Sequence, residues 1–386
     1  MNMAAYLTGS NLVIDLGSSS VKADLASKTL PTVVFDSIIG RPKFNKVIPT
    51  KTEFEVVAPI PETRGLYHLS KPIQRGILKN EHDAKLILNK VYSELSVMHK
   101  NESPVFLTEP TMNSLNQKRM LAEILFNDFE VPFVFFGTQS VLSLYAFGKT
   151  DGIILESGDG ITQISTVLNG YKIDNGSDRI NFGGADVTDF LKVLFKKAGN
   201  FINSSSEDAI FNEIKKSVCQ VNTNYIQKAY SLQKAIVPDV KTGKNEELSY
   251  TLPDGKTIQI GMERFLAPEL MFNSSLGGFE FPGVAELLEA VISRIDIDLT
   301  KSLSNTIYLA GGNTQITGFV DRFAKEVSSL VAEKTSRMLI VPNINRAWLA
   351  WQGGAIVSNL NAFSKLWISK KDFEEHGNRI FSLRNF

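Results

Sequence analysis

Cysteine is nearly absent. The single Cys219 in 386 residues excludes an internal disulfide and fits a reducing compartment. Histidine is scarce as well, and His68, His82, His99 and His376 have no metal-ligand spacing. Excess charge of one sign is missing: 41 Lys+Arg balance 41 Asp+Glu, so there is no electrostatic reason to expect nucleic acid or an anionic membrane as partner. No run approaches the ~18 consecutive apolar residues of a membrane span. Residues 1–11 have neither a basic start nor an apolar core, so no signal peptide is expected there. The remainder is ordinary globular composition, 43% hydrophobic and 21% charged, in a length that accommodates two cores. The expectation is a soluble intracellular protein.

Against this background residues 12–25, LVIDLGSSSVKADL, stand out. An apolar run ends in an acid, passes a Gly/Ser turn and a lysine, and returns as a second apolar stretch. This reads as a β-hairpin. Asp15 stands at the mouth of the turn, where it could face a hydrated cation. Gly17, Ser18, Ser19 and Ser20 offer N–H groups and hydroxyls to an anion, and Lys22 could return positive charge to it. Alone, such a turn is more often simply a turn.

Residues 31–39 read as a strand closed by Gly40-Arg41-Pro42. Residues 43–64 mix Lys, Thr, Pro and Glu without a sustained period and read as a mobile surface excursion. Over 81–99, Ala84, Ile87, Leu88, Val91, Leu95 and Met98 share one helical face. A strand at 105–109 follows, then a helix at 113–129 with Met120, Leu121, Ile124 and Leu125 inward. A buried strand at 133–136 leads to a helix capped by Thr138. Strands alternating with helices argue for an α/β layer.

At Asp151 the pattern restarts. Residues 152–165, GIILESGDGITQIS, repeat the opening logic: a strand, an acid at Glu156, a turn Gly158-Asp159-Gly160 with a second acid, and a returning strand. Such a repeat suggests two similarly built halves. Two facing hairpins would cradle a polyphosphate; two unrelated hairpins is the competing reading. Gly183-Gly184 opens a helix to Lys197. A helix at 207–222 carries Lys215, Lys216 and Cys219, the last read as a small core residue because no histidine lies near it. Residues 230–245 look polar and loosely ordered, and 250–260 read as a hairpin turned by Asp254-Gly255. The Gly/Phe/Ser loop 271–282 has exposed-looking aromatics, suited to a contact plug or to pinning on the protein's own core. After a helix at 284–292 comes a third element. It is a strand at 306–310, a turn Gly311-Gly312-Asn313-Thr314, and a helix from Gly318 that buries Phe319, Phe323, Val327, Leu330 and Val331. A double glycine between strand and helix lets a ligand approach the backbone. Trp351-Gln352-Gly353-Gly354 opens a further helix.

Together these elements resemble the actin family. Asp15 to Lys22 is similar to its first phosphate loop, Glu156 to Gly160 to its second, and Gly311-Gly312 to its adenosine-side turn. The segments PIQRGI at 72–77, LTEP at 107–110, QSVLSLYA at 139–146, LPDG at 252–255 and WISKK at 367–371 also resemble family signatures. Sugar kinases and the seventy-kilodalton chaperones share only the loops, so the flanking matches point to a divergent actin-related or actin-like protein. The resemblance implies an α/β actin-like ATPase fold of duplicated ribonuclease H-like domains with a nucleotide cleft between them. The first domain would be 1–147 with 349–386, with a mobile subdomain at about 40–72. The second would be 148–348, with an inserted subdomain at about 184–280.

The resemblance further implies ATP or ADP with Mg2+. Asp15, Glu156 and Asp159 would face the metal through water, which suits a cation that keeps several waters. Gly17, Ser18, Ser19, Ser20, Lys22, Gly158, Asp159, Gly160, Gly184, Lys215, Lys216, Gly311, Gly312, Asn313 and Ile316 would bind the nucleotide. Gln139 stands where the family's water-orienting glutamine stands, and Gln163 replaces a histidine that helps position the lytic water. Glu156 is one methylene longer than the family's aspartate. Leu16 and Ser19 replace an asparagine and a glycine. Asn212, Lys216, Ile316 and Ala347 replace an arginine, a glutamate, a tyrosine and a lysine. The phosphate end is thus largely kept and the base and sugar end rebuilt. Nucleotide binding with slow or absent hydrolysis is expected, since phosphoryl transfer depends mostly on positioning and charge stabilisation.

In actins an acidic start serves motor proteins. Here residues 1–11 contain no acid and Ala26-Ser27-Lys28 replaces another acidic site, which weighs against conventional myosin binding. The excursion 43–64, which in actins grips a neighbouring subunit, is unrelated in sequence and restricted by Pro49, Pro59 and Pro61. The expected function is therefore a cytoskeletal structural protein, a filament or complex subunit with other actin-like or cytoskeletal subunits as partners. Its ATPase would be slow at most, and neither nucleic acid nor membrane is expected as a direct partner. The alternative is a nucleotide-locked or nucleotide-free scaffold in an axonemal, dynactin-like or chromatin assembly. A sugar kinase would need a carboxylate base beside a sugar pocket, and no segment supplies one. The residues do not separate cytoplasm from nucleus or cilium.

Overall fold

The computed structural model describes residues 11–43, 55–95, 102–202, 206–223, 248–252, 254–331 and 339–384. The opening hairpin forms as its alternation requires. Strand β1 (Leu12–Leu16) returns as β2 (Ser20–Leu25), antiparallel, with Asp15 opposite Lys22. Gly17 N donates to Ser20 O at 3.1 Å, and a Cβ on Gly17 would meet that carbonyl at 2.7 Å, so the turn excludes a side chain there.

Strand β3 (Val33–Asp36) extends β2, but the single strand expected over 31–39 is two. Pairing with β2 ends at Asp36 opposite Ser20. The buried Ser37 then bonds back to Ser19 O at 2.9 Å, which turns the chain away. Ile39 starts β4 (Ile39–Pro42), which pairs with β5 (Val56–Val57) and β6 (Tyr67–Ser70) in a separate small sheet. The middle of the 43–64 excursion, residues 44–54, lies outside the described residues. A two-residue-strand hairpin, β7 (Ile73–Gln74) and β8 (Ile77–Leu78), follows.

Helix α1 (Glu81–Glu94) is capped by Asn80, whose side chain accepts from Asp83 N at 2.8 Å. It buries Ala84, Ile87, Leu88 and Val91. Leu95 is half-buried, and Met98 lies outside the described residues. Next come β9 (Val105–Glu109), α2 (Leu115–Asn127), β10 (Phe133–Thr138) and α3 (Gln139–Ala146). Strand β10 runs two residues past the expected 133–136. Thr138 occupies the N-cap of α3 with no side-chain cap bond, and Met120 is half-buried rather than inward.

The second half opens with β11 (Gly152–Ser157), β12 (Thr162–Leu168) and β13 (Tyr171–Ile180). Helix α4 (Gly184–Lys197) and α5 (Glu207–Val218) follow. The latter ends four residues short of 222, because the buried Cys219 is extended and Gln220 bridges to Thr317. Residues 230–245 are not among those described. The hairpin β14 (Leu248–Thr251) and β15 (Thr257–Ile260) precedes α6 (Glu263–Glu269).

The aromatics of 271–282 are not exposed. Phe272 is buried, Phe281 lies 5.0 Å from the Phe182 ring, and Ser274 Oγ donates to Phe281 O, so the loop is pinned on the protein's own core. After it come α7 (Val284–Arg294), α8 (Ile297–Leu303), β16 (Thr306–Ala310), α9 (Phe319–Leu330) and β17 (Leu339–Val341). The chain then enters α10 (Leu349–Ser358), β18 (Ile368–Ser369) and α11 (Lys370–His376). No described helix is long and apolar enough to cross a membrane.

The strand order repeats. The first sheet runs β3-β2-β1-β9-β10 with β18 added at its edge, and the second runs β13-β12-β11-β16-β17. In each, three antiparallel strands are followed by two parallel neighbours. This is the actin-like α/β fold built as two domains of one topology. Ile14 and Leu107 face a core under the first sheet, and Leu155 and Ile164 one under the second. Their alternate neighbours Val13, Phe106 and Ile154 face a third core between the sheets, with Leu142 of α3 and Trp351 of α10. There the helices touch backbone to backbone: a Cβ on Gly353 would lie 1.8 Å from Leu142 O.

Candidate functional site between the two sheets

The loops after β1 and β11 face each other across a cleft of about 510 Å³. Of the residues singled out in the sequence, all but Gly184 line it: Asp15, Gly17, Ser18, Ser19, Ser20, Lys22, Gln139, Glu156, Gly158, Asp159, Gly160, Gln163, Lys215, Lys216, Gly311, Gly312, Asn313 and Ile316. Gly184 sits just behind. A Cβ there would meet Asn313 Oδ1 at 2.5 Å and Lys215 Nζ at 2.9 Å.

Asp15 is 4% exposed and fully engaged. Lys22 Nζ lies 2.7 Å from its Oδ2, while Thr108 Oγ1 and Gln139 Nε2 donate to its Oδ1 at 2.5 and 2.9 Å. Burial alone would raise its pKa, but the Lys22 ammonium and these donors hold the carboxyl below its usual value. The positive charge of Lys22 is thus directed at Asp15.

Glu156 behaves differently. Burial pushes its pKa up to about 7, and nearby Asp15 adds to the shift, while the bond from Gln163 opposes it. Gln163 Nε2 donates to Glu156 Oε2 at 2.8 Å, and Gln163 Oε1 accepts from Thr111 N at 2.8 Å, so both ends of the amide are committed. Thr111 also joins the buried Ser140 and Ser165 hydroxyls at 3.0 and 3.1 Å.

On the far wall, Asp159 Oδ1 stands 4.0 Å from Lys215 Nζ, which donates to Gly184 O at 2.7 Å. Burial lowers the Lys215 pKa to about 8. Asn313 ties the third glycine turn to the second loop through Ser157 Oγ at 3.1 Å and Gly158 O at 2.7 Å. Gly311 has φ 85°, and a Cβ on it would lie 2.2 Å from Ser157 O.

Among the described residues no three His, Cys, Asp or Glu side chains converge tightly enough to ligate a metal directly. Three acids, Asp15, Glu156 and Asp159, nevertheless line one cleft, an arrangement that suits a hydrated divalent cation held through its waters. The sequence reading missed Val34, Gln315 and Trp348 as lining residues, and Thr108 and Thr111 as supports. Trp348 and Gln315 flank recognised elements but match no motif, so only the closure of the cleft selects them.

Paired sheets of one topology, joined by α3 and α10 and carrying facing Gly/Ser loops, define an actin-type fold. The sequence model described as "Actin" matches residues 7–386, and the chain belongs to the actin family. It is 36% identical over 377 residues to an actin-like protein of Neurospora crassa, a match covering 97% of this chain and 98% of that protein.

Proposed function

We propose that the cleft binds ATP or ADP with Mg2+, and that the protein is a cytoskeletal subunit, in a filament or a larger complex, whose hydrolysis is slow or absent. Membership of a family whose members generally bind nucleotide and divalent metal supports the first part. The observation that carries it is the facing of the Gly17–Ser20 and Gly158–Gly160 loops with three carboxylates around one cleft. When bound, the metal would neutralise charge on the phosphates. Asp15, Glu156 and Asp159 would hold its waters, the two loops would hold the phosphates, and Lys215, Gly311, Gly312 and Ile316 would take the nucleoside end. The domain division 1–147 with 349–386 against 148–348 accords with one sheet in each.

Slow turnover follows from commitments in the floor. Gln163 uses its carbonyl on Thr111 N and its amide on Glu156, which leaves it poorly placed to orient water. Gln139 donates to Asp15 and Thr108, leaving its carbonyl oxygen as the water-orienting atom. A second reading, a nucleotide-free scaffold within an assembly, is favoured by one observation: Lys22 already compensates Asp15, so an empty cleft leaves no unpaired charge there.

Titration of the purified protein with a fluorescent ATP analogue, with and without Mg2+, tests the binding; no cation-dependent affinity would refute it. Single-turnover phosphate release tests the catalytic half, which release as fast as in a conventional actin would overturn. Sedimentation after adding magnesium and salt separates filament from scaffold.

A further inference from the structure

The two Gly/Ser loops are bridged by one short hairpin. Arg75 and Gly76 form its tip, both in left-handed backbone at φ 54° and 71°. The Arg75 guanidinium crosses to α4, where Nη1 and Nη2 meet Asp186 Oδ2 and Oδ1 at 2.5 and 2.7 Å, and Nη1 reaches Gly160 O at 3.2 Å. Asp186 is 7% exposed and held from behind, since its Oδ2 accepts from Gly183 N at 2.8 Å. The hairpin is gripped in return. Arg179 Nη2 donates to Arg75 O at 2.6 Å, and Gly76 N donates to Ser18 Oγ at 3.2 Å. The tip therefore bonds the first loop through Ser18 and the second through Gly160. Farther out, Lys71 stands 3.9 Å from Asp159, a second oppositely charged pair across the cleft. A bidentate guanidinium–carboxylate pair is both strong and direction-selective, and a lysine cannot reproduce its fork.

We propose that Arg75 is a positioning residue that latches the cleft: it fixes the separation of the Ser18 and Gly160 loops, and its release from Asp186 is the opening step through which the cleft exchanges its contents. The identity of those contents rests on the nucleotide reading; the latch does not. Opening must break the two Asp186 contacts, the Gly160 contact and the Arg179–Arg75 bond together, because all four converge on Arg75 from the far wall, while the Gly76–Ser18 bond keeps the hairpin with the first loop.

Spin labels at Leu69→Cys on β6 and Ser217→Cys on α5, both exposed positions, one on the small sheet beside the hairpin and one on the helix that carries Lys215, read the separation by pulsed dipolar spectroscopy in the full chain, with the buried Cys219 left in place. Arg75→Gln is expected to lengthen and broaden the distance distribution and to raise the dissociation rate of a fluorescent ATP analogue at least tenfold. Arg75→Lys, which keeps the charge and loses the fork, is expected to fall between wild type and Arg75→Gln on both readouts. Should the protein take no nucleotide, the distance measurement alone decides. A distribution in Arg75→Gln identical to wild type, or a lower melting temperature with no change in distance, overturns the proposal. If Arg75→Gln fails to fold, Asp186→Asn, which retains an acceptor for Gly183 N, must give the same lengthening or the latch is refuted.

Discussion

Lys22 Nζ lies 2.7 Å from Asp15 Oδ2, and both residues are nearly out of solvent beside the turn of the first hairpin, 9% and 4% exposed. Cross-strand register places them opposite one another. Lys22→Met is therefore expected to lower the unfolding free energy by about 3–5 kcal/mol, because it strands a buried carboxylate. Lys22→Met combined with Asp15→Asn should recover most of that loss. Urea unfolding of the nucleotide-free protein checks both, and equal stabilities for the single and double variants would contradict the pairing.

Glu156 predicts a pH dependence of opposite sense to that of an ordinary carboxylate. Its folded pKa of about 7 lies above the ordinary 4.5, so the folded state holds the extra proton. Its contribution is complete below about 4.5 and declines as pH rises toward 7. Glu156→Gln should flatten the melting temperature between pH 5 and 8 in metal-free buffer and raise it most at the alkaline end. A wild-type profile that climbs steadily through this interval, unaltered by the substitution, would count against the assignment.

Arg322 and Glu269 form a second buried pair, 3% and 1% exposed, with guanidinium contacts of 2.7 and 2.9 Å, and Arg322 also donates to Asn222 O at 2.8 Å. Arg322→Met should cost about 3–5 kcal/mol, whereas the double apolar replacement Arg322→Met with Glu269→Leu should lie closer to wild type. Chemical denaturation measures both. Additive losses in the double variant would show that the two side chains do not act as a pair.

Two glycines, each part of a consecutive pair, should respond differently. Gly353→Ala drives a methyl to 1.8 Å from Leu142 O, where α10 crosses α3, and is expected to destabilise by about 3 kcal/mol or to prevent folding. At Gly312 a Cβ meets nothing within 4 Å, so Gly312→Ala should leave the unfolding free energy within ~0.5 kcal/mol of wild type. Its effect should fall on the affinity of the cleft instead. A thermal shift for Gly312→Ala as large as that for Gly353→Ala would refute the packing account.

Local chemistry made much of this molecule legible. The period-2 runs at 12–16, 105–109 and 152–157 are strands because their apolar residues alternate between two cores or are buried on both faces. The Gly/Ser turns follow from the lack of room for side chains, as at Gly17 and Gly311. The repeat from Asp151 announced a duplicated topology, and it is present strand for strand. Boundaries were less legible where they depend on partners. The strand over 31–39 splits because β2 runs out of pairing edge, and α5 stops at Val218 because Gln220 bridges to Thr317. The loop 271–282 suited a contact plug or pinning on the protein's own core, and only the folded position of Phe182 beside Phe281 decides for the second.

The sequence by itself determined the elements, their order and the residue types gathered around the cleft, because those depend on periodicity, turn sterics and charge within short windows. Only the tertiary structure decided how the charges are used. Lys22 serves Asp15, Gln163 is shared between Thr111 and Glu156, and Arg75 reaches Asp186 across 111 positions of chain. Hydrogen bonds and ion pairs act over about 3 Å of space whatever the separation along the backbone, so these pairings arise only when the two sheets close on each other.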